Sequence, residues 1–216
     1  MISHHPSGDL LLSYSAGSLG ESWSLAVATH LAFCPPCREE AATADELGGA
    51  LLQTEGVCDV PASVLDDLLS KVDQHLDTDE LLVADQPLAQ AEVPSPLRNY
   101  VGDTFRGIPW STLGGGAFQC LIDTGDSGQA RLLKIPAGCA VPEHGHGGRE
   151  LTLVLSGSFS DQTGTFGPGD LEDADEALTH QPLAGREAAC ICLAVTDAPL
   201  QFNSWLPRLL QPLFKI

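Results

Sequence analysis

Positive charge is scarce in this sequence: ten lysines and arginines stand against 29 aspartates and glutamates, a formal net charge of -19 over 216 residues. Such a surface suits nucleic acid poorly, because binding there needs cationic side chains that displace counterions from phosphates. The shortage is uneven. Residues 1–96 hold sixteen acids against only Arg38 and Lys71, while the remainder holds thirteen acids against eight bases. The first part therefore fits a basic protein partner, since complementary fields speed encounter and set specificity. Long apolar runs are also missing. Even LAVATHLAF is short and interrupted by His30, so no membrane span is expected. MISHHPSGDL has neither a cationic start nor an apolar run with a small-residue cleavage site, which predicts no secretory signal and a cytoplasmic location. Aromatics are few at 6%, but 43% hydrophobic residues with 18% charged is the balance of a folded chain. Seven cysteines in a reducing compartment then read as ligands, buried thiols or redox sites rather than as a disulfide framework.

Texture divides the chain in three. Residues 1–76 read as helical. Asp9 can cap a first helix carrying Leu10, Leu11, Leu12 and Tyr14, ended by Gly17. Ser18 and Glu21 have capping-box spacing ahead of a second helix, which should stop near Cys34 because a double proline follows. A third helix starts close to Cys37, and SVLDDLLSKVDQHL repeats apolar residues at the spacing of a fourth, amphipathic one. Residues 77–96, rich in acids, prolines and alanines, read as a linker. Residues 97–216 break into short apolar segments such as RLLKI, LTLVLSGSF and ACICLAV, divided by Gly, Pro, Asp and Ser. That rhythm predicts a β sandwich or barrel. Glycines 114–116 lack the helix and lysine of a phosphate loop and read as a turn. Cys190 and Cys192 alternate onto one face of a strand and read as core.

Chemistry concentrates in two places. In HLAFCPPC, His30 and Cys34 are four residues apart on one helix face, and Cys37 returns across the proline turn. Two thiols and an imidazole at one corner suit tetrahedral zinc, with His4 or His5 as the fourth ligand. A helical unit of this size also benefits from a staple. The alternative is a pair of buried thiols beside a surface histidine. A thioredoxin-like redox motif would need a neighbouring βαβ pattern, which is absent.

The N-terminal third resembles the anti-sigma domains that carry an HxxxCxxC zinc motif. The resemblance implies zinc at His5, His30, Cys34 and Cys37, in helices that wrap a group 4 (extracytoplasmic function) sigma factor and block its access to RNA polymerase.

The second place is GCAVPEHGHGGRELTLVLSG. His144 and His146 project to one side of an extended segment, and Glu150 follows where the next strand returns. His180, after the FGPGD turn, can add a ligand from an opposing strand, enclosing a metal with an open position. Gly138, His144, His146, Glu150 and Gly157 match every position of the first cupin motif, so this part resembles the cupin family. The second motif is weaker, with Gly164, Pro168, Gly169 and His180 but Ala184 where an asparagine is usual.

Together the chain resembles the ChrR-type anti-sigma factors over essentially its full length. The resemblance implies an α+β protein of two domains: a small all-α zinc domain (1–76), an acidic, proline-containing linker (77–96) and an all-β cupin, or jelly-roll, barrel (97–216). It further implies a second zinc in the cupin domain, a response to singlet oxygen or organic hydroperoxide, no catalytic residues, no direct contact with nucleic acid or membrane, and pairing of exposed cupin sheets. Cys139 lies beside the cupin ligands, and thiols and imidazoles react with such oxidants. The competing reading is a cupin metalloenzyme, a mononuclear dioxygenase or hydrolase with an accessory helical domain. It lacks an evident additional acid, base or substrate-holding arginine, Arg149 and Glu143 reading equally well as solvated.

Overall fold

A computed structural model of the chain describes residues 2–76, 92–126 and 128–202. Most of the expected linker, 77–91, lies outside the described residues, as does the chain from 203 onward.

Helices come first. α1 (Gly8–Ser15) is capped by the Ser7 hydroxyl, which accepts from the Leu10 amide at 3.4 Å. Asp9, expected as the cap, instead lies in the first turn, where its charge meets the exposed amides. α2 (Glu21–Phe33) follows without the expected Ser18–Glu21 box: its N-cap is Gly20, and the Ser18 hydroxyl donates to the Ser13 carbonyl. A residue from far along the chain takes over the role. Asp126 accepts from the Ser22 amide at 3.1 Å and from the Ser22 hydroxyl at 2.9 Å. Cys34 is extended, as a residue before proline should be, and the two prolines open α3 (Pro35–Leu52). α4 (Ser63–Leu76) and α5 (Ser95–Val101) complete the helices among the described residues.

Twelve short strands follow among the described residues, β1 (Ser111–Gly114), β2 (Ala117–Ile122), β3 (Gln129–Ile135), β4 (His144–His146), β5 (Glu150–Ser156), β6 (Phe159–Ser160), β7 (Thr165–Phe166), β8 (Leu171–Ala174), β9 (Thr179–His180), β10 (Leu183–Ala184), β11 (Cys190–Thr196) and β12 (Leu200–Phe202). They pair antiparallel as one six-stranded sheet, β1-β2-β3-β11-β5-β8, and two three-stranded sheets, β10-β6-β7 and β12-β4-β9. Glycines 114–116 form the β1–β2 turn, all at positive φ.

Within the large sheet β5 and β11 are buried on both faces, which explains why LTLVL and CICLAV read as unbroken apolar runs. Outward-facing Leu151, Leu153, Leu193 and Val195 share one core with Leu10, Leu25 and Ala26 of the helices and with Val93, Leu97 and Ile108. Inward-facing Glu150, Thr152, Cys190, Cys192 and Ala194 line a cavity of about 340 Å³ closed on its other side by the smaller sheets. Cys190 and Cys192 are buried there. A satellite core of Leu11, Val27, Cys34 and Cys37 lies between α1, α2 and α3.

Candidate metal centres

The proline break between α2 and α3 brings the first constellation together. His5, His30, Cys34 and Cys37 each offer a ligand atom, and these atoms lie within 4.8 Å of one another. His5 Nδ1 is 3.4 Å from Cys34 Sγ and 3.3 Å from Cys37 Sγ, and His30 Nε2 is 3.3 Å from Cys37 Sγ. His5 is exposed and the other three are buried. His4 belongs elsewhere, its ring centroid 4.2 Å from that of Phe166 at a tilt of 37°.

The donor set is chemically suited to zinc. His30 Nδ1–H donates to the Gly169 carbonyl at 2.9 Å, which leaves the Nε2 lone pair aimed at the thiols. Burial lowers the His30 pKa to about 4, keeping the ring neutral. Burial next to Cys34 pushes the Cys37 thiol up to about 12. Only a cation at this corner would make a thiolate there favourable.

The second constellation forms across sheets. β4 pairs with β9, placing His144 directly opposite His180. His180 Nε2 is 3.1 Å from His144 Nε2 and 3.3 Å from His146 Nε2, all three rings being buried. Behind them, His144 Nδ1–H donates to the Pro142 carbonyl at 2.8 Å and His180 Nδ1–H to Asp161 Oδ2 at 2.6 Å. Three Nε2 atoms therefore converge, and one proton on His180 could satisfy only one of the other two. Burial lowers His144 and His146 to about 4. His180 moves the other way: burial opposes its charge, but Glu172 and Asp161 outweigh it and raise the pKa. His146 Nδ1 is buried without a hydrogen-bond partner. An inward-pointing imidazole trio of this kind fits a divalent cation.

Glu150 sits beside the trio rather than among the converging nitrogens. Its Oε2 is 3.7 Å from His146 Nδ1, Oε1 accepts from the Thr152 hydroxyl at 2.9 Å, and burial raises its pKa. Two further carboxylates, Asp161 and Glu172, were not legible in the sequence. Asp161 lies in the β6–β7 hairpin, bonded to Thr163, and Glu172 turns inward from β8, its Oε1 3.6 Å from His180 Nδ1. Both belong to ordinary turn and strand patterns, and only the strand register reveals them.

With the geometry in hand, comparison with known proteins is specific. Residues 101–199 match the family model of the ChrR cupin-like domain. The anti-sigma-E factor ChrR of Cereibacter sphaeroides is 48% identical over 215 residues, covering 100% of this chain and 99% of its own. A crystal structure of Rhodobacter sphaeroides SigE in complex with the anti-sigma ChrR is similar with a TM-score of 0.78 and 45% identity, over 91% of this chain and 100% of the other. Fold, site and likeness define a transcription regulator of the anti-sigma class, with an α+β architecture ending in a cupin domain, and not an enzyme. The chain belongs to the ChrR family of anti-sigma factors.

Proposed function

We propose that this protein is a zinc-dependent anti-sigma factor that sequesters a group 4 sigma factor in the cytoplasm and releases it on an oxidative signal received through the cupin domain. One observation carries the partner: α4 and the end of α3 present Leu47, Leu51, Leu52, Leu65, Leu68, Leu69 and Val72 to solvent, each more than half exposed. An apolar stripe of that extent on acidic helices is what a monomer covers with another protein. The relative bears the name anti-sigma-E factor, and the similar complex contains SigE, a protein class whose DNA-binding role requires the basic surface these acids would meet.

His5, His30, Cys34 and Cys37 would hold one zinc as a structural tie between α2, α3 and the N-terminal segment. His144, His146 and His180, with Glu150 adjoining, would hold a second. Zinc at the first site would supply folding free energy at the corner that sets the α2–α3 angle. The division into a helical unit (1–76), a connection (77–96) and a cupin unit (97–216) is part of the same reading. No helix among the described residues is long and apolar enough to cross a membrane.

The test is capture of purified SigE by the full chain, with and without a zinc chelator, then with an organic hydroperoxide added to the complex. Capture lost on chelation, and release by hydroperoxide that fails in His144→Ala, is the expected result. No capture under any condition rejects the sigma partner.

A further inference from the structure

The helical metal corner is not built by the helices alone. His30 takes its orientation from the Gly169 carbonyl at 2.9 Å, in the β7–β8 turn of the barrel. His5 is delivered by a segment pinned to that same turn. Asp170 Oδ1 accepts from the Ser3 amide at 2.7 Å and the His4 amide at 2.9 Å, and the Leu171 amide donates to the His4 carbonyl at 3.2 Å. The segment thereby continues past β8 by one backbone hydrogen bond. The other Asp170 oxygen accepts from the Gly167 amide at 2.8 Å, which ties the carboxylate to its own turn. Gly169 has φ +91, and a Cβ there would meet Ile2 at 2.7 Å and Phe33 at 3.0 Å.

The contact reaches the other centre as well. The His4 ring lies over Phe166 and within reach of Gly164, whose Cβ position would be 3.1 Å from His4 Nε2. Gly164 closes the hairpin that holds Asp161, and Glu172 follows two residues after Asp170. Asp161 and Glu172 are the carboxylates behind His180.

We propose that the barrel turn 167–171 is a positioning element of the helical metal corner, with Gly169 orienting His30 and Asp170 placing His5, so that the barrel governs how tightly the corner holds its metal. The inference rests on the metal reading above. Partners behind a ligating histidine are worth about 10–100-fold in metal affinity. Here the partner comes from the segment that also flanks the barrel's own histidine cluster, so a rearrangement at that cluster has a short path to the corner.

Cobalt(II) separates the two centres without further substitutions, because only the corner has thiols among its converging ligand atoms and a sulfur-to-metal charge-transfer band therefore reports on it. The full chain would be loaded with cobalt(II), and the decay of that band into excess chelator followed for the natural sequence, Asp170→Asn, Gly169→Ala and the core control Ile122→Val. Ile122 lies in β2, with three strands between it and β8 in the sheet. Decay about 10–100-fold faster in Asp170→Asn and Gly169→Ala, with the control unchanged, is the expected result. Decay at the natural rate in both turn variants overturns the proposal, as does equal acceleration in Ile122→Val, which would mark a general loss of stability. No charge-transfer band in the natural chain overturns the metal corner itself and this inference with it.

Discussion

Four buried histidines differ in what stands behind the nitrogen that does not face the cluster. Backbone carbonyls stand behind His30 and His144, a hydrogen-bonded carboxylate behind His180, and behind His146 the Glu150 carboxylate at 3.7 Å, beyond hydrogen-bond distance. Burial holds His30, His144 and His146 at about 4, against 6.5 for a free imidazole. The unfolded chain then binds more protons than the folded one between those values, so stability present above pH 6.5 is lost as pH falls toward 4. His180, raised by its carboxylates, contributes with the opposite sign but is one ring against three. The melting temperature of metal-free protein is expected to drop by about 5 °C or more between pH 7 and pH 5; a flat profile in calorimetry would contradict the burial account. Asp161→Asn should weaken metal binding at the barrel cluster by about 10–100-fold while leaving the far-UV spectrum unchanged, which a competitive chelator titration reads directly. The ligand types themselves were legible because helix and strand periods place His30 with Cys34 and His144 with His146, while the proline turn returns Cys37 to the first pair. Asp161, Glu172 and Asp170 were not, since each is local turn or strand polarity until the register aims it.

Among the elements, α4 has the clearest mismatch between pattern and surroundings. Its leucines repeat at helical spacing, yet Leu65 and Leu69 are 63% and 53% exposed. Replacing both with aspartate should abolish SigE capture while changing stability by no more than about 0.5 kcal/mol per site, as for surface positions generally. Unchanged capture in a pull-down would move the partner's footprint off this helix. The four N-terminal helices were readable from apolar spacing and from the prolines at 35 and 36. Gly17 does follow the end of α1 at positive φ, but the N-caps were not readable: the Ser22 amide in the first turn of α2 is met by Asp126, more than a hundred residues downstream, and local pattern carries no trace of a cap supplied by tertiary contact. The barrel strands were legible as short apolar runs, but the runs alone could not say that both faces of β5 and β11 are covered.

For the molecule as a whole, the decisive fact is a single core shared by helices and sheet. Leu10, Leu25 and Ala26 pack with Leu151, Leu153 and Leu193, so loss of either set exposes the other. Thermal unfolding of the metal-loaded chain is expected to show coincident transitions by far-UV and near-UV circular dichroism, the signature of one cooperative unit. Two separated transitions would show that the helical segment and barrel melt independently.

The doubly covered large sheet has a practical corollary. A barrel produced without residues 1–76 would lose the cover that Leu10, Leu25 and Ala26 give the outer faces of β5 and β11, opening part of a leucine- and valine-lined surface with the character of a subunit interface. Dimers seen with such a fragment would then measure the missing helices and not the quaternary structure of the intact protein, whose own first helices already occupy the seat that a second barrel would take.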